Sequence, residues 1–320
     1  MRTDTTGRVV ALHLAVIAVL VALLWILPDY HRGVMARVLV LSVFAMGYNL
    51  TFGYAGLLSL GHAMFFAAGL YGAGLAAYYP GWSVLPSFAF GIACGGVLAL
   101  VVGFLALRTT GVAFMIVTMM FSQVFYLTTL YYTTWTRGEE GLVLGTDLRT
   151  VSLGAATLEL WEPTTRYLVA VGLFSVVFLA TMAIARAPFG RILIAIRENE
   201  ERMRMLGYDV HRAKLKAMVL SGLFCAAAGA AYALLFGYVG SSFASIQYSI
   251  LPLLWVLLGG AATTLGPLFG TVFMFYVVDV TSGYTSAWLL VVGVALILLV
   301  LFFPKGVFGT IRERWLKWLP

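Results

Sequence analysis

The chain has 320 residues, of which 62% are hydrophobic and 10% charged, and its mean hydropathy is +0.98. A soluble domain carries roughly 25% charged residues, so an ordinary water-soluble fold is excluded. The formal net charge of +7 would suggest nucleic acid in a soluble protein; in a membrane chain it reflects basic cytoplasmic loops, and no nucleic-acid partner is expected.

At about 20 residues per crossing, this length allows roughly ten spans. In chain order, apolar runs mark them near 9–27, 34–52, 62–79, 82–107, 111–132, 167–185, 215–239, 246–262, 266–280 and 285–303. The first run follows Arg2 and Arg8, as a signal peptide would. It is too long for a typical signal core and ends in Pro28-Asp29 instead of a small-residue cleavage site, so it reads as an uncleaved span. Span four carries Gly91, Gly95, Ala99 and Gly103 four apart, and span seven carries Gly222, Ala226 and Ala230. Small residues let helix backbones approach closely in lipid. Both stripes suit either packing inside the chain or a seam with a second membrane subunit.

Two connections are long. Thr133–Arg166 holds three basic and five acidic residues, whereas Arg186–Lys216 holds eight and four. The tail after Pro304 holds four basic residues and one acid. The excess of lysine and arginine places the 186–216 loop, the tail and both termini in the cytoplasm, and the 133–166 loop outside. Arg32 and Arg37 then fall outside, against that rule. Tyr30, Tyr78, Tyr79, Trp82, Tyr131, Tyr132, Trp135, Trp161 and Tyr167 gather at the expected outer ends, where amphipathic rings prefer to sit.

The middle of the basic loop, Arg197 to Gly207, reads as one short polar helix ended by glycine. Such a helix between two spans must stand in water, which makes it a docking element for a soluble partner, with Met203, Met205 and Leu206 as its apolar patch. Two glycine-rich breaks interrupt the spans, Gly53 to His62 and Gly259 to Pro267. They share a hydroxyl–Leu–Gly order in Ser59-Leu60-Gly61 and Thr264-Leu265-Gly266. Interruptions at corresponding places in two halves can mark a transport pathway; ordinary turns between spans are the other reading.

Enzymatic and metal chemistry find little support. Cys94 and Cys225 lie inside apolar runs, and His13, His31, His62 and His211 lack metal-ligand spacing. The sequence has no HExxH pair and no Ser/His constellation, and no cofactor is expected. His13, His62 and Asp279 are the few ionisable residues within spans, so coupling to protons or sodium is disfavoured and energy should enter from elsewhere. The chain has no GxxxxGK[ST] loop and cannot itself hydrolyse ATP. Asn49, Ser59, Gly61, His62, Gln123, Thr263, Thr264 and Gly266 are the candidate substrate-pathway residues, with Tyr48, Thr118 and Ser122 beside them. Each could equally make an interhelical hydrogen bond. The methionines from Met115 to Met120 would adapt to varied apolar solutes.

At these residues the chain resembles the branched-chain amino acid permeases of ABC importers, in particular the LivM-like subunits and their urea-transport relatives. Five motifs carry the resemblance in order: Gly53-Tyr54-Ala55-Gly56 with Ser59-Leu60-Gly61-His62; Thr136-Arg137-Gly138-Glu139-Glu140-Gly141; Arg197-Glu198-Asn199-Glu200 with Leu206-Gly207; Gly259-Gly260 with Leu265-Gly266-Pro267; and Phe302-Phe303-Pro304-Lys305-Gly306.

The resemblance implies a single all-α, polytopic permease domain over residues 1–320, in a bacterial inner membrane. It also implies a second homologous permease subunit, two cytoplasmic ATP-binding subunits and a periplasmic substrate-binding protein meeting the 133–166 loop. Arg197, Glu198, Glu200, Glu201, Arg202, Met203 and Gly207 would couple to the ATPase. Glu201, Arg202 and Met203 stand where the family has Glu-Ala-Ala, and this departure implies a dedicated ATPase with a complementary surface. The solute would be a leucine-like amino acid, urea or a short amide; no charged pair for an ammonium and a carboxylate is evident. A stand-alone carrier or channel, or a membrane scaffold, are the readings from other classes.

Overall fold

The computed structural model describes residues 2–153, 156–284 and 305–314, together with residues 287, 290, 293, 294, 297, 301 and 302. Helices α1 (Arg2–Ile26) and α2 (Asp29–Asn49) lead into a π-helical turn (Leu50–Tyr54), and α3 (His62–Tyr78), α4 (Val84–Ala106) and α5 (Gly111–Tyr131) follow. The 133–166 segment holds α6 (Thr133–Thr136), β1 (Leu142–Val143), β2 (Thr150–Leu153) and β3 (Ala156–Glu159). After it come α7 (Pro163–Arg186), α8 (Pro188–Glu198), α9 (Glu200–Met205), α10 (Val210–Phe236), β4 (Tyr238–Val239), α11 (Ile246–Gly259), α12 (Gly266–Tyr284) and α13 (Val307–Arg314).

The fold is an all-α, polytopic membrane fold, and six of the described helices are long and apolar enough to cross a bilayer. Nine of the ten expected runs contain a helix; the tenth, 285–303, falls largely outside the described residues. Helix α11 has 14 residues, about 21 Å at 1.5 Å per residue, against a hydrocarbon core of about 30 Å. It stops at the second glycine break.

Local chemistry sets the ends. Pro163 and Pro188 open α7 and α8, where a missing N–H costs nothing. The side chains of Asp209 and Ser245 accept the backbone N–H of Arg212 and Tyr248, capping α10 and α11. Gly237, at φ +70°, ends α10.

Glycine drives the central packing of α3, α4 and α10. A Cβ on Gly91 would fall 2.9 Å from that of Ala230, while Gly95 faces Ala226 and Gly222 faces Ala99. Gly69 and Gly229 lie against the backbones of Ala226 and Phe66. The two small-residue stripes therefore meet each other within the chain, which explains them without a second subunit. Helix α2 is the buried axis, with residues 38–49 enclosed by α7, α10, α11 and α12.

The 133–166 segment folds over one end of this bundle. Strand β1 pairs antiparallel with β4, just after α10, and β2 and β3 form a hairpin. Aromatic rings collect there: Tyr79 stands 5.1 Å from Trp135, and Arg137 donates to the Tyr78 hydroxyl at 2.9 Å.

Candidate functional site

The two glycine breaks are stapled to each other. At the end of α2, Asn49 uses both halves of its amide: Nδ2 donates to the Thr263 carbonyl and Oδ1 accepts the Ala262 N–H, each at 2.9 Å. Gly53 allows this approach, because a Cβ there would lie 2.5 Å from the Ala262 nitrogen. The second break is strained into shape, with Gly260 at φ +117° and Ala262, which carries a side chain, at φ +56°. Thr263 ties it internally, donating to Gly260 O at 2.7 Å and accepting from Gly266 N at 3.1 Å. Thr264 pairs with His13 of α1 at 2.9 Å, and His13 stacks on Phe178.

The first break is organised around His62. Its Nε2 stands 3.0 Å from the hydroxyls of both Thr51 and Ser221, and its Nδ1 3.0 Å from that of Ser59. Thr51 and Ser221 spend their protons on the carbonyls of Tyr48 and Gly47. Each hydroxyl has one proton, so both must accept from the ring. That assigns the proton to Nε2 and leaves Nδ1 to accept from Ser59. Gly61 sits against the Thr118 carbonyl, with no space for a Cβ. Asn49, Ser59, Gly61, His62, Thr263, Thr264 and Gly266 are all buried. They form one hub joining α1, α2, α3, α5, α10 and the α11–α12 turn.

The polar segment reaches this hub directly. Nη1 of Arg197, near the end of α8, donates to Gly53 O at 2.5 Å, while Nη2 pairs with Glu198 at 2.8 Å. The Arg197 stem lies on Gly56, whose φ of +69° and closeness to Arg197 Cγ both require glycine. Beyond it the chain breaks, which corrects the expectation of a single helix from 197 to 207. Asn199 leaves helical geometry, ends α8, and caps α9 by accepting Arg202 N–H at 2.9 Å. Gly207, at φ +84°, closes α9: its N–H reaches Arg204 O, and that of Tyr208 reaches Met203 O, a Schellman pair.

Glu200 bridges Arg204 and Lys214, each at 2.5 Å, fixing α9 to α10. Burial alone would push its carboxyl up. The hydrogen bonds and charges of Lys214 and Arg204 outweigh that and hold it below the usual carboxylate range.

A family model described as the branched-chain amino acid transport system permease component matches residues 31–301. The chain belongs to this family. The permease is 27% identical over 293 residues to the high-affinity branched-chain amino acid transport system permease protein LivM of Salmonella typhimurium, and equally to that of Escherichia coli; each alignment covers 85% of this chain and 68% of the relative. A probable LivM permease of Methanocaldococcus jannaschii is 28% identical over 146 residues, which is 41% of this chain and 42% of that one. No solved structure matches.

In this permease seven of the eight candidate pathway residues join the hub. Gln123 does not: it lies half-buried on α5, five residues past Thr118. Of the polar segment, Glu198, Glu201, Arg202 and Gly207 are exposed. Met203 is not part of an outer patch, because it packs with Ile196 and Val210 beneath α9. The exposed apolar groups are Met205, Leu206 and Tyr208, the last unforeseen. Ser221, Ser249 and His13 were missed as hub members too, because their partners lie 159 to 251 residues away.

Proposed function

We propose that this chain is the transmembrane subunit of an ATP-driven importer for branched-chain, apolar amino acids, forming half of the translocation pathway with a second, similar permease. Two cytoplasmic ATPase subunits engage α9 and the turn after it, and a periplasmic binding protein delivers solute at the 133–166 segment. Both termini lie in the cytoplasm of a bacterial inner membrane. The observation that carries this reading is the unbroken chain of contacts from α8 through Arg197 to Gly53, and through Asn49 to residues 262–263. A force applied to α8–α9 reaches both glycine breaks without crossing soft packing. The exposed face of Glu201, Arg202, Met205, Leu206 and Tyr208 offers a partner groove both charge and apolar area. The family and the names of the relatives support the solute class.

Co-purification followed by reconstitution tests it. An ATPase and a binding protein should accompany the chain, the binding protein should prefer leucine-like amino acids over urea and short amides, and uptake should require ATP. Solute transport by this chain alone, indifferent to ATP, would overturn the reading in favour of a carrier or channel.

A further inference from the structure

Away from the hub, a cavity of about 490 Å³ opens between α4, α7 and α10 under the β2–β3 hairpin. Its lining is apolar throughout, including Phe88, Leu160, Leu173, Val176 and Leu234. A wall with no polar group cannot hold water or a polar solute. Leu85 and Val176 on its rim are 62% and 68% exposed, so it faces outward from the bundle. On α7 the stripe Val169, Leu173, Val176 continues from Arg166, so the cavity reaches about 15 Å below that residue at 1.5 Å per residue.

Cations crowd the upper end. Arg149 is 9% exposed; its Nη1 donates to the carbonyl of Leu235, a lining residue, and its Nε has no hydrogen-bond partner. Arg166 donates from Nη2 to Trp161 O, and its buried Nε likewise has none. Arg166 and Arg37 both stand over the Phe236 ring, at 5.3 and 5.2 Å. Among the described residues no carboxylate lies within ion-pair distance of Arg37, Arg149 or Arg166. Three guanidinium groups gathered without a counter-charge, one of them buried, call for an anion. Free phosphate or a solute carboxylate would satisfy the charge and leave the apolar slot below unfilled.

We propose that this is a phospholipid site, in which Arg149 and Arg166 hold the phosphate of an anionic lipid and an acyl chain fills the cavity below. Arg37 adds to the field without touching the cavity wall. The hairpin covers the glycerol region, and the lipid ties the 133–166 segment to α7 and α10.

Gly172 supplies the test. It lines the cavity, and a Cβ there meets nothing within 4 Å, so Gly172→Phe fills the slot without displacing the fold. The full-length chain, purified in non-ionic detergent with its accompanying subunits, is exposed to mixed micelles holding equal phosphatidylglycerol and phosphatidylcholine. Native mass spectrometry then counts retained lipid. Wild type should retain phosphatidylglycerol in roughly tenfold preference. Gly172→Phe should lose both lipids while its elution stays unchanged and its melting matches that of delipidated wild type. The Arg149→Gln, Arg166→Gln double variant should bind lipid without preference. Equal retention by wild type and Gly172→Phe overturns the proposal. So does an unaltered preference in the double variant, or release of the lipid by millimolar inorganic phosphate or leucine, which would assign the arginines to a free anion.

Discussion

Replacing Arg197 with methionine separates its charge from its packing. The aliphatic stem that rests on Gly56 is kept, and the donors to Gly53 O and Glu198 are removed. A hydrogen bond from a charged donor contributes about 1.5–3 kcal/mol. The Arg197 side chain is 32% exposed, so solvent screening trims this, and the pair with Glu198, itself 68% exposed, adds almost nothing. The expected loss is therefore about 1–2 kcal/mol, a factor of roughly 5–30 in any equilibrium that uses the contact. The assay is ATP-driven uptake in proteoliposomes, with uptake and hydrolysis measured together. The reconstituted complex carrying Arg197→Met should hydrolyse ATP while importing several-fold less solute per ATP, and the affinity for external solute should stay unchanged. Arg197→Lys should restore part of the ratio, because it keeps a charged donor. If the melting temperature falls but solute per ATP stays at the wild-type value, the contact only stabilises the fold and the argument for force transmission fails.

Orientation is tested by cysteines at Glu140 and Glu200: the first should react with an impermeant thiol reagent from outside, the second only after permeabilisation, and the reverse pattern would invert the topology. Gly61→Leu and Gly266→Leu should abolish assembly along with uptake, since a Cβ on Gly266 would fall 2.5 Å from Gly260 O and one on Gly61 would strike the Thr118 carbonyl; normal yield of either variant on gel filtration would show that the breaks relax easily. Glu200 predicts a pH effect: its carboxyl is held below its ordinary value of 4.5, so its stabilisation is full above about pH 4.5 and is lost as the pH falls through the depressed folded-state value. Glu200→Gln should remove that part of the acid sensitivity in thermal unfolding measured against pH, and an identical profile in the two proteins would contradict it.

The spans could be read from the chain because a run of 20 apolar residues leaves few alternatives in water. The breaks were legible as interruptions, since glycine and hydroxyl residues, with proline at the second, crowd together there, whereas the packing glycines of span four recur four apart. What joins them was not. Asn49 stands out as an amide at the end of an apolar helix, but its partners lie 213 and 214 residues further on. Arg197 looked like one charge in an exposed island, although its guanidinium reaches back 144 residues. The division at Asn199 was available in principle: asparagine before Glu200 and Glu201 is a helix start. Reading the island as uniformly charged hid that start. The hairpin β2–β3 does alternate, Thr-Val-Ser-Leu against Ala-Thr-Leu-Glu, but over only four residues a strand, too short to stand out in the chain, and its place depends on the ends of α7 and α10.

The amide of Asn49 also has a consequence for biosynthesis. At 5–20 residues per second, about 10–40 s pass between translation of Asn49 and translation of the residues that satisfy it. For that interval the nascent chain carries an unpaired carboxamide at the end of its second span, a group that favours water or a chaperone over lipid. Ribosome-bound intermediates shorter than about 260 residues should therefore be open to extraction and degradation, and release into the bilayer should become irreversible only once the second break has been made.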